Sequence, residues 1–284
     1  MPAPAITFTL DLEDHRPPGA EGRLAEERFG AMSRLVLDRM ADRGVRGTVF
    51  IVGELGRSHA PLVREVAARG HEIGLHAWRH VPLTEVDPEV FRRETADGRA
   101  LLEDLTGTAV VGFRAPTYSL VRSSVWVTDV LADAGFTYSS SVLPAHNPLF
   151  GFPDAPRQPF LWPSGLIELP SPVTGVGRWQ VPYLGGVYLR ALPWAVVRLG
   201  AALERSTPVP FTYVHPYDPD VAEPFWWVPE AGRLSPLLWI GRGSTLARLD
   251  RLAARAAPPL VDRLCELPPL ATFDPGRSSV EENR

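Results

Sequence analysis

The chain has 284 residues, of which 45% are hydrophobic, and a formal net charge of −4 at pH 7. This length can bury a large core, and an acidic balance without a basic run argues against nucleic acid or an anionic membrane surface as the main partner. The single cysteine, Cys265, excludes an intrachain disulfide, so the fold does not depend on an oxidising compartment.

The N-terminal segment MPAPAITFTLDLEDH lacks the pattern of a signal peptide, because no basic stretch precedes a long apolar one and an acidic cluster begins at Asp11. No apolar run approaches the roughly 18 residues of a membrane-spanning helix. We therefore expect a cytoplasmic protein without an integral membrane segment.

Apolar runs of strand length alternate with segments of helical periodicity along most of the chain. In chain order the strand-like runs are AITFTLD, GTVFIVG, HEIGLH, AVVGF, FTYS, LIELP and FTYVH. This alternation predicts an α/β fold of about seven strands. No glycine-rich phosphate turn follows the first strand, which favours a parallel barrel-like α/β fold over an open doubly wound sheet, although periodicity alone does not separate the two.

Three helical segments have clear start and stop signals. GAMSRLVLDRMADRG ends at Gly44, and SSVWVTDVLADAG starts with serine and ends at Gly135. DPEVFRRETADGRALLEDLTG begins with Asp87 as its N-cap and Pro88 in its first turn, and it ends at Gly107.

The chain is predicted to form one catalytic domain over residues 1–273 with a polar, flexible tail at 274–284. Residues 144–192 are rich in proline and glycine, so they are expected to form long loops and short strands around the barrel.

Polar and charged residues follow several of the predicted strands. In a βα fold the carboxyl ends of the strands converge on one face. The residues expected to meet there are Asp11, Glu13 and Asp14 after the first strand, His76 and His80 after the third, Arg114 after the fourth and His215 after the seventh.

His76, His80 and one carboxylate would form a metal centre with open positions for water and substrate, which is the ligand set of a hydrolytic zinc site. We therefore expect a divalent metal, with Zn²⁺ as the expected ion. The residues alone leave the carboxylate open: Asp11 and Glu13 point to the same side of an extended chain, while Asp14 follows the strand end. A second carboxylate could accept a proton from water.

The segments GFRAPTYS and YVHPYDPD supply further candidates. Arg114 could hold the base carboxylate, and a backbone N–H just after Pro116 could donate to a developing oxyanion. His215 could protonate a leaving group as an imidazolium. The alternative interpretations are a structural salt bridge at Arg114 and an ordinary loop histidine at His215.

Taken in order, TFTLDLED, HEIGLHAWRH, GFRAPTYS, YSSSVLP and YVHPYD resemble the five motifs of the polysaccharide deacetylase family, the NodB homology domain of carbohydrate esterase family four. More narrowly, they resemble the branch associated with exopolysaccharide and protein-sorting gene clusters. The resemblance implies a distorted (β/α) barrel. It also implies a metal-dependent hydrolase of non-peptide C–N bonds that removes an N-acetyl group from an amino sugar in a glycan or glycoconjugate and releases acetate.

The resemblance also implies roles for individual residues. An acidic-x-acidic first motif favours Glu13 as the metal-binding carboxylate, with Asp14 as the runner-up. The remaining roles are Asp11 as catalytic base, His76 and His80 as metal ligands, Arg114 as the residue that orients the base, and His215 as general acid.

Two departures from the usual motifs concern the base and the oxyanion donor. The first motif has Asp11 followed two residues later by Glu13, where the family usually has two adjacent aspartates. Thr117 is inserted between the proline and the aromatic residue of the third motif. The N–H of Thr117 is therefore the expected oxyanion donor.

A third departure is Ser139, which stands where the fourth motif commonly has an acid. A carboxylate beside an imidazole raises its pKa, whereas a serine hydroxyl supplies no charge. We therefore expect His215 to lose its proton at a lower pH than in relatives that carry the acid. Asp218 or Asp220 could instead serve as its partner.

Two other functions remain open. The first keeps the metal and the barrel but changes the substrate to a small molecule: a nucleotide sugar, a sugar-bearing metabolite or an allantoin-like amide. The lack of a signal peptide favours small or lipid-linked intracellular substrates over mature cell-wall polymer. The second is a non-catalytic sugar-binding module. Trp226 and Trp227 could offer a face on which a sugar stacks, or could pack in the interior.

Overall fold

The structure is a computed structural model that describes residues 4–16, 23–177, 179–203, 207–229 and 231–276. In the first helix the side chains are described from residue 28 onward. The predicted flexible tail at 274–284 lies outside the described residues from position 277.

The described residues form short strands and helices in alternation. The strands are β1 Ile6–Thr7, β2 Thr9–Leu12, β3 Thr48–Ile51, β4 Glu72–Leu75, β5 Gly112–Phe113, β6 Tyr138–Ser139, β7 Phe160–Leu161, β8 Ile167–Glu168, β9 Val173–Thr174, β10 Val181–Pro182 and β11 Ala256–Ala257. The helices are α1 Arg23–Asp42, α2 Gly53–Ser58, α3 Ala60–Ala68, α4 Pro88–Thr106, α5 Val127–Asp133, α6 Gly186–Ala191, α7 Trp194–Leu203, α8 Thr245–Ala253 and α9 Leu260–Arg263.

A seven-stranded sheet with the order β2-β3-β4-β5-β6-β8-β7 forms the centre of the fold. Its neighbouring strands are parallel, except that β7 runs antiparallel to β8. The central strands are buried apolar runs, as expected when helices cover a parallel sheet on both faces. The predicted α/β fold with a parallel sheet is confirmed, whereas closure of a barrel stays a prediction.

The predicted seventh strand, FTYVH at residues 211–215, forms isolated parallel bridges to β1 and β2 instead of a continuous ladder. Two threonine side chains interrupt the ladder. The Thr9 N–H donates to Thr212 Oγ1 at 3.2 Å, and Thr9 Oγ1 donates to the Thr212 carbonyl. The segment still runs alongside β2, because the N–H of Asp11 donates to the carbonyl of Val214 at 2.8 Å.

The helix signals in the sequence correspond to α1, α4 and α5. The Asp87 carboxylate accepts hydrogen bonds from the N–H groups of Glu89 and Val90, and it caps α4 as predicted. Gly107 ends the same helix with φ of 67°, a left-handed conformation that glycine adopts without a Cβ clash. Helix α5 begins at Val127, after a 3₁₀ turn, and so later than the predicted serine start.

The proline- and glycine-rich stretch contains the two-residue strands β7 to β10 connected by loops, as predicted, and it ends in helix α6, which was not predicted there. Among the described helices, none combines the length and the apolar character that crossing a membrane requires.

Candidate active site

The carboxyl ends of the parallel strands bring the predicted residues together on one face of the sheet. Asp11 lies within β2 and Glu13 follows it, His76 follows β4, and Arg114 follows β5. His215 arrives from the segment that runs alongside β2, and its Nε2 lies 3.9 Å from Asp11 Oδ2 and 3.7 Å from Glu13 Oε1.

Glu13, His76 and His80 form a compact cluster of potential metal ligands. Glu13 Oε2 lies 2.9 Å from His76 Nε2 and 2.6 Å from His80 Nε2. One ligand atom from each residue lies within 4.8 Å of the others. Two imidazole nitrogens and one carboxylate oxygen at this separation can surround a single cation.

The two histidines approach each other through a loop, and not as neighbours on one helical turn. Directly after His76 the chain turns at Ala77, whose φ of 56° is a left-handed conformation that is uncommon for residues other than glycine. The carbonyls of Ala77 and Trp78 accept hydrogen bonds from the first N–H groups of α2, each at 3.0 Å. These bonds anchor the turn that brings His80 back toward Glu13.

The hydrogen bonding of His76 fits a metal-binding role. Its Nδ1–H donates to the carbonyl of Arg114 at 2.8 Å, which leaves Nε2 to face Glu13. Metal-ligating histidines usually donate their second ring N–H in this way, because the bond fixes both the tautomer and the ring orientation. The donor set and its orientation therefore fit a divalent metal.

The charge of Glu13 is balanced by histidines, whereas Asp11 and Asp14 each pair with an arginine. Burial would raise the pKa of Glu13, but His80, His215 and His76 hold it well below its ordinary value. Within the described part of the chain, no arginine pairs with this carboxylate. Asp14, the alternative ligand, instead accepts two hydrogen bonds of 2.8 Å from Arg16 and does not join the cluster.

Asp11 and Arg114 form a buried ion pair. Arg114 Nη1 donates to Asp11 Oδ1 at 2.6 Å and to Thr9 Oγ1 at 2.6 Å. Arg114 is fully buried, and its guanidinium lies 4.1 Å from the ring centroid of Phe50 and 4.9 Å from that of Phe211. The Asp11 carboxylate is therefore held in one orientation, with Oδ2 turned toward His215.

The serines of YSSSVLP support the loop that follows β5. Arg114 donates from Nε to the Ser140 carbonyl and from Nη2 to Ser140 Oγ. The N–H of Ala115 donates to Ser141 Oγ at 2.9 Å. No role was predicted for these two serines, although they lie in the fourth motif.

Thr117 has a strained backbone beside this loop. Its φ is 54°, and the φ of Tyr118 is 55°, so two consecutive non-glycine residues are left-handed. Among the described residues nothing accepts a hydrogen bond from the Thr117 N–H. The position therefore offers an unused backbone donor.

His215 has a carboxylate partner, but at a position other than 139. Asp218 Oδ2 lies 3.0 Å from His215 Nδ1, and Asp218 Oδ1 lies 3.0 Å from Arg190 Nη2. Burial alone would lower the pKa of His215, but Asp218 and Glu13 raise it to about 9. Asp218, the first of the two alternative partners named from the sequence, is therefore the carboxylate that contacts His215. Ser139 is buried, and its hydroxyl donates to Ser141 Oγ.

The other suggested partner, Asp220, turns away from His215. Its carboxylate accepts a hydrogen bond from Arg28 Nη2 at 2.7 Å.

Arg190 is a site residue for which the sequence predicted no role. It reaches Asp218 from helix α6, and no local sequence pattern marks this contact.

Tyr217 is a further site residue without a predicted role. Its hydroxyl donates to Glu13 Oε1 at 2.8 Å. Its ring lies parallel to that of His215 on one face and to that of His15 on the other, with centroid distances of 4.8 and 4.1 Å. The signal for it was its position two residues after His215, inside the fifth motif.

Trp226 and Trp227 have different surroundings. Trp226 packs edge-on against His15 and Trp239, with centroid distances of 5.3 and 6.3 Å. Trp227 is 63% exposed and contacts Phe225. Only Trp227 is open enough to present its face to a ligand.

Two family models together match most of the chain. Residues 27–139 match the model described as polysaccharide deacetylase, and residues 140–265 match a domain of unknown function, DUF3473. The two matches meet at the end of β6, and strands from both matched regions share the central sheet. The candidate site also draws on both, because His76 lies in the first match and His215 in the second.

Two curated relatives and one solved structure illustrate the similarity. A chitooligosaccharide deacetylase of Rhizobium leguminosarum bv. trifolii is 34% identical over 98 residues, which are 34% of this chain and 42% of the relative. A peptidoglycan-N-acetylglucosamine deacetylase of Bacillus cereus is 27% identical over 95 residues, which are 33% of this chain and 34% of the relative. The matched segments thus span less than half of either relative.

The solved structure is that of a Mycobacterium smegmatis protein that is described as a polysaccharide deacetylase. It has a TM-score of 0.63 and 20% sequence identity to this chain. The superposition covers 96% of this chain and 95% of that one. At this identity the likeness concerns the fold alone.

Proposed function

We propose that this chain is a metal-dependent hydrolase that removes an N-acetyl group from an amino sugar in a glycan or glycoconjugate, a proposal that is supported by the match of residues 27–139 to the polysaccharide deacetylase model. The observation that carries the proposal is the Glu13, His76 and His80 cluster beside the buried Asp11–Arg114 pair. A ligand set and a separate oriented carboxylate are the two parts that hydrolysis of an amide requires.

The metal site consists of Glu13, His76 and His80, and we propose Zn²⁺ as the ion. A divalent cation held there would act as a Lewis acid and lower the pKa of a coordinated water. The hydrogen bond from His76 Nδ1 to the Arg114 carbonyl supports this assignment, because it orients the ligand and links it to the residue that holds Asp11.

Asp11 is the general base in this proposal. Arg114 binds its Oδ1, so Oδ2 is the oxygen that accepts the proton of the attacking water. The ion pair also holds this buried carboxylate in one orientation, so Oδ2 stays directed toward the position of the attacking water.

The collapse of the tetrahedral intermediate needs an oxyanion donor and an acid. The N–H of Thr117 serves as the donor, which is supported by its lack of another acceptor in the described structure. His215 protonates the departing amine, because Asp218 and Glu13 raise its pKa to about 9, despite its burial, and thereby keep it protonated at neutral pH. Acetate and a free amine are the products.

The substrate is an N-acetylated carbohydrate in this proposal. The names of the two curated relatives, which act on chitooligosaccharides and on peptidoglycan N-acetylglucosamine, support an amino-sugar substrate. The exposed ring of Trp227 provides a surface for stacking a sugar.

We also propose that the sheet belongs to a distorted (β/α) barrel. The parallel bridges from Leu10 to Val214 and from Gly185 to Tyr213 support it, because they extend the strand order beyond β2. This curvature would bring His215 to the same mouth as His76.

The test is release of acetate from a panel of N-acetylated compounds by the purified protein, with and without added Zn²⁺. The panel contains N-acetylglucosamine oligomers, peptidoglycan fragments, a nucleotide sugar and allantoin, and the Asp11→Asn variant is the control for contaminating activity. We expect metal-dependent acetate release from an amino-sugar substrate. Hydrolysis of allantoin alone would replace the substrate assignment, and sugar binding without any turnover would indicate a binding module.

A further inference from the structure

Tyr217 contacts the proposed metal ligand Glu13 at Oε1, the carboxylate oxygen that does not face His76 and His80. Its hydroxyl donates to Glu13 Oε1 at 2.8 Å, whereas Oε2 faces His76 and His80 at 2.9 and 2.6 Å. The two oxygens of one carboxylate therefore have separate partners. An oxygen that accepts a phenol hydrogen bond has less electron density to offer a cation than its neighbour has.

The Tyr217 ring has little freedom to move away from this contact. It lies between the rings of His215 and His15, with interplanar angles of 3° and 2°. His15 Nε2 lies 3.0 Å from each oxygen of Glu223, which also accepts from Arg242 at 2.6 Å. This buried chain of contacts holds the phenol in the direction of Glu13.

The length of the ligand side chain explains why such a contact is needed. Glutamate has one more rotatable bond than aspartate, so an unsupported glutamate loses more side-chain entropy when it binds a metal. It can also bind through one oxygen or through both. A fixed donor on Oε1 removes both freedoms, because it selects one orientation and occupies one oxygen.

We propose that Tyr217 is a positioning residue whose hydroxyl holds Glu13 so that only Oε2 serves as the metal ligand. The inference rests on the proposed function, because it assumes that Glu13, His76 and His80 bind a metal. It adds a role for the fifth motif that is separate from the general acid His215.

The experiment compares Tyr217→Phe with a matched control, Tyr138→Phe. The Tyr138 hydroxyl also donates to a half-buried glutamate, Glu72, at 2.8 Å, but that pair belongs to the amino-terminal edge of the sheet. Both variants remove one partly buried hydrogen bond between a phenol and a carboxylate and keep the ring. The affinity for Zn²⁺ and Co²⁺ is measured by competition with a chromophoric chelator, and the visible spectrum of bound Co²⁺ reports its coordination number.

We expect Tyr217→Phe to weaken metal affinity by about 10- to 100-fold and to change the Co²⁺ spectrum. Tyr138→Phe should change neither measurement, whatever it does to the melting temperature. If Tyr217→Phe does not fold, fluorotyrosine at position 217 keeps the ring and alters only the acidity of the hydroxyl. Its metal affinity should then differ from that of wild type.

Metal affinity and a Co²⁺ spectrum in Tyr217→Phe that equal those of wild type would overturn the role of Tyr217 and leave the proposed function intact. A wild-type protein that binds neither metal would instead remove the proposed metal site itself. Equal losses in Tyr217→Phe and Tyr138→Phe would mean that general destabilisation, and not the position of Glu13, causes the effect.

Discussion

Asp218 accepts two hydrogen bonds from His215 through the same oxygen, one from the backbone N–H at 2.8 Å and one from the imidazole Nδ1–H at 3.0 Å. Because the two residues are three apart in one turn, the carboxylate follows the histidine wherever the loop places it. Arg190 lies 3.0 Å from the other oxygen, and together with His215 it lowers the pKa of Asp218 to about 2, although burial alone would raise it. The charge that acts on His215 is thus supplied locally.

Replacing Asp218 with asparagine should shift the alkaline limb of the kcat/KM profile to lower pH. Burial lowers the pKa of His215, and Asp218 is the strongest of the groups that raise it to about 9. Without the charge of Asp218 the pKa of His215 is lower, so the protonated imidazole that acts as the acid is lost at a lower pH. We expect a shift of roughly one to two units, measured by acetate release from pH 6 to about 10.

Two control variants sharpen that measurement. Asp220→Asn should leave the limb unchanged, because Asp220 accepts from Arg28 and does not contact His215. Ser139→Asp should also leave it unchanged, because the Ser139 hydroxyl contacts Ser141. An alkaline limb that moves in Ser139→Asp and stays fixed in Asp218→Asn would contradict the assignment of Asp218.

Asp11 and Glu13 should respond differently to neutralisation. Asp11→Asn removes the base but no ligand, so it should keep the metal and lose turnover by about 10²-fold or more. Glu13→Gln weakens a ligand whose oxygen faces both histidines, so it should lose the metal first. Metal content by atomic emission and turnover on the same samples distinguish the two. The opposite pattern would mean that their roles are exchanged.

His80→Ala should lose most of the bound metal, because it removes one of three protein ligands. The His80 side chain is 24% exposed, and it contacts Glu13 at 2.6 Å and the His76 ring at a centroid distance of 5.3 Å, so the variant should still fold. His59→Ala is a suitable control, since this half-buried histidine lies between α2 and α3, contacts Ser58 and Phe29, and stands outside the cluster. Stoichiometric metal in purified His80→Ala would refute the ligand assignment.

His71 should make the metal-free protein sensitive to mild acid. Burial and the positive charge of Arg69 lower the pKa of His71 from 6.5 to about 4. Its Nδ1 accepts a hydrogen bond from the Gly47 N–H at 3.1 Å, so protonation of this nitrogen would break the bond. The unfolded chain takes up the proton below its own pKa, so the free energy of unfolding falls as the pH drops from 6.5 toward 4.

The His71→Asn variant tests this, because an amide oxygen can accept the Gly47 N–H but does not titrate. Urea unfolding of both proteins at pH 7 and pH 4.5 should show that wild type loses more stability than the variant. The difference should be about 3 kcal/mol at most. Parallel losses in the two proteins would show that His71 does not cause the acid sensitivity.

Trp227 and Trp226 should differ in their effects on the substrate. Trp227→Ala removes an exposed ring, so it should raise KM several-fold with little effect on the melting temperature. Trp226→Ala removes a ring packed against His15 and Trp239, so it should lower the melting temperature. Steady-state kinetics and thermal melts of both variants provide the comparison. A KM unaffected by Trp227→Ala would exclude it as a stacking surface.

Much of the site could be predicted from the sequence because its residues follow strands. A parallel α/β fold brings the ends of its strands to one face, so Asp11, His76 and Arg114 could be assigned to one site before their distances were known. The α/β class followed from the alternation of apolar runs with capped helices such as α4. The single domain and the cytoplasmic location remain predictions.

Only the tertiary structure decided which groups meet within that site. Asp14 is adjacent to Glu13 in sequence, yet one pairs with Arg16 and the other faces the histidines, because successive side chains beyond a strand end point in different directions. No local pattern marks Arg190, and the position of Tyr217 in the fifth motif does not indicate that it contacts Glu13. Their contacts with Asp218 and Glu13 join residues of different elements, and such contacts depend on how the elements pack rather than on the periodicity within any one of them.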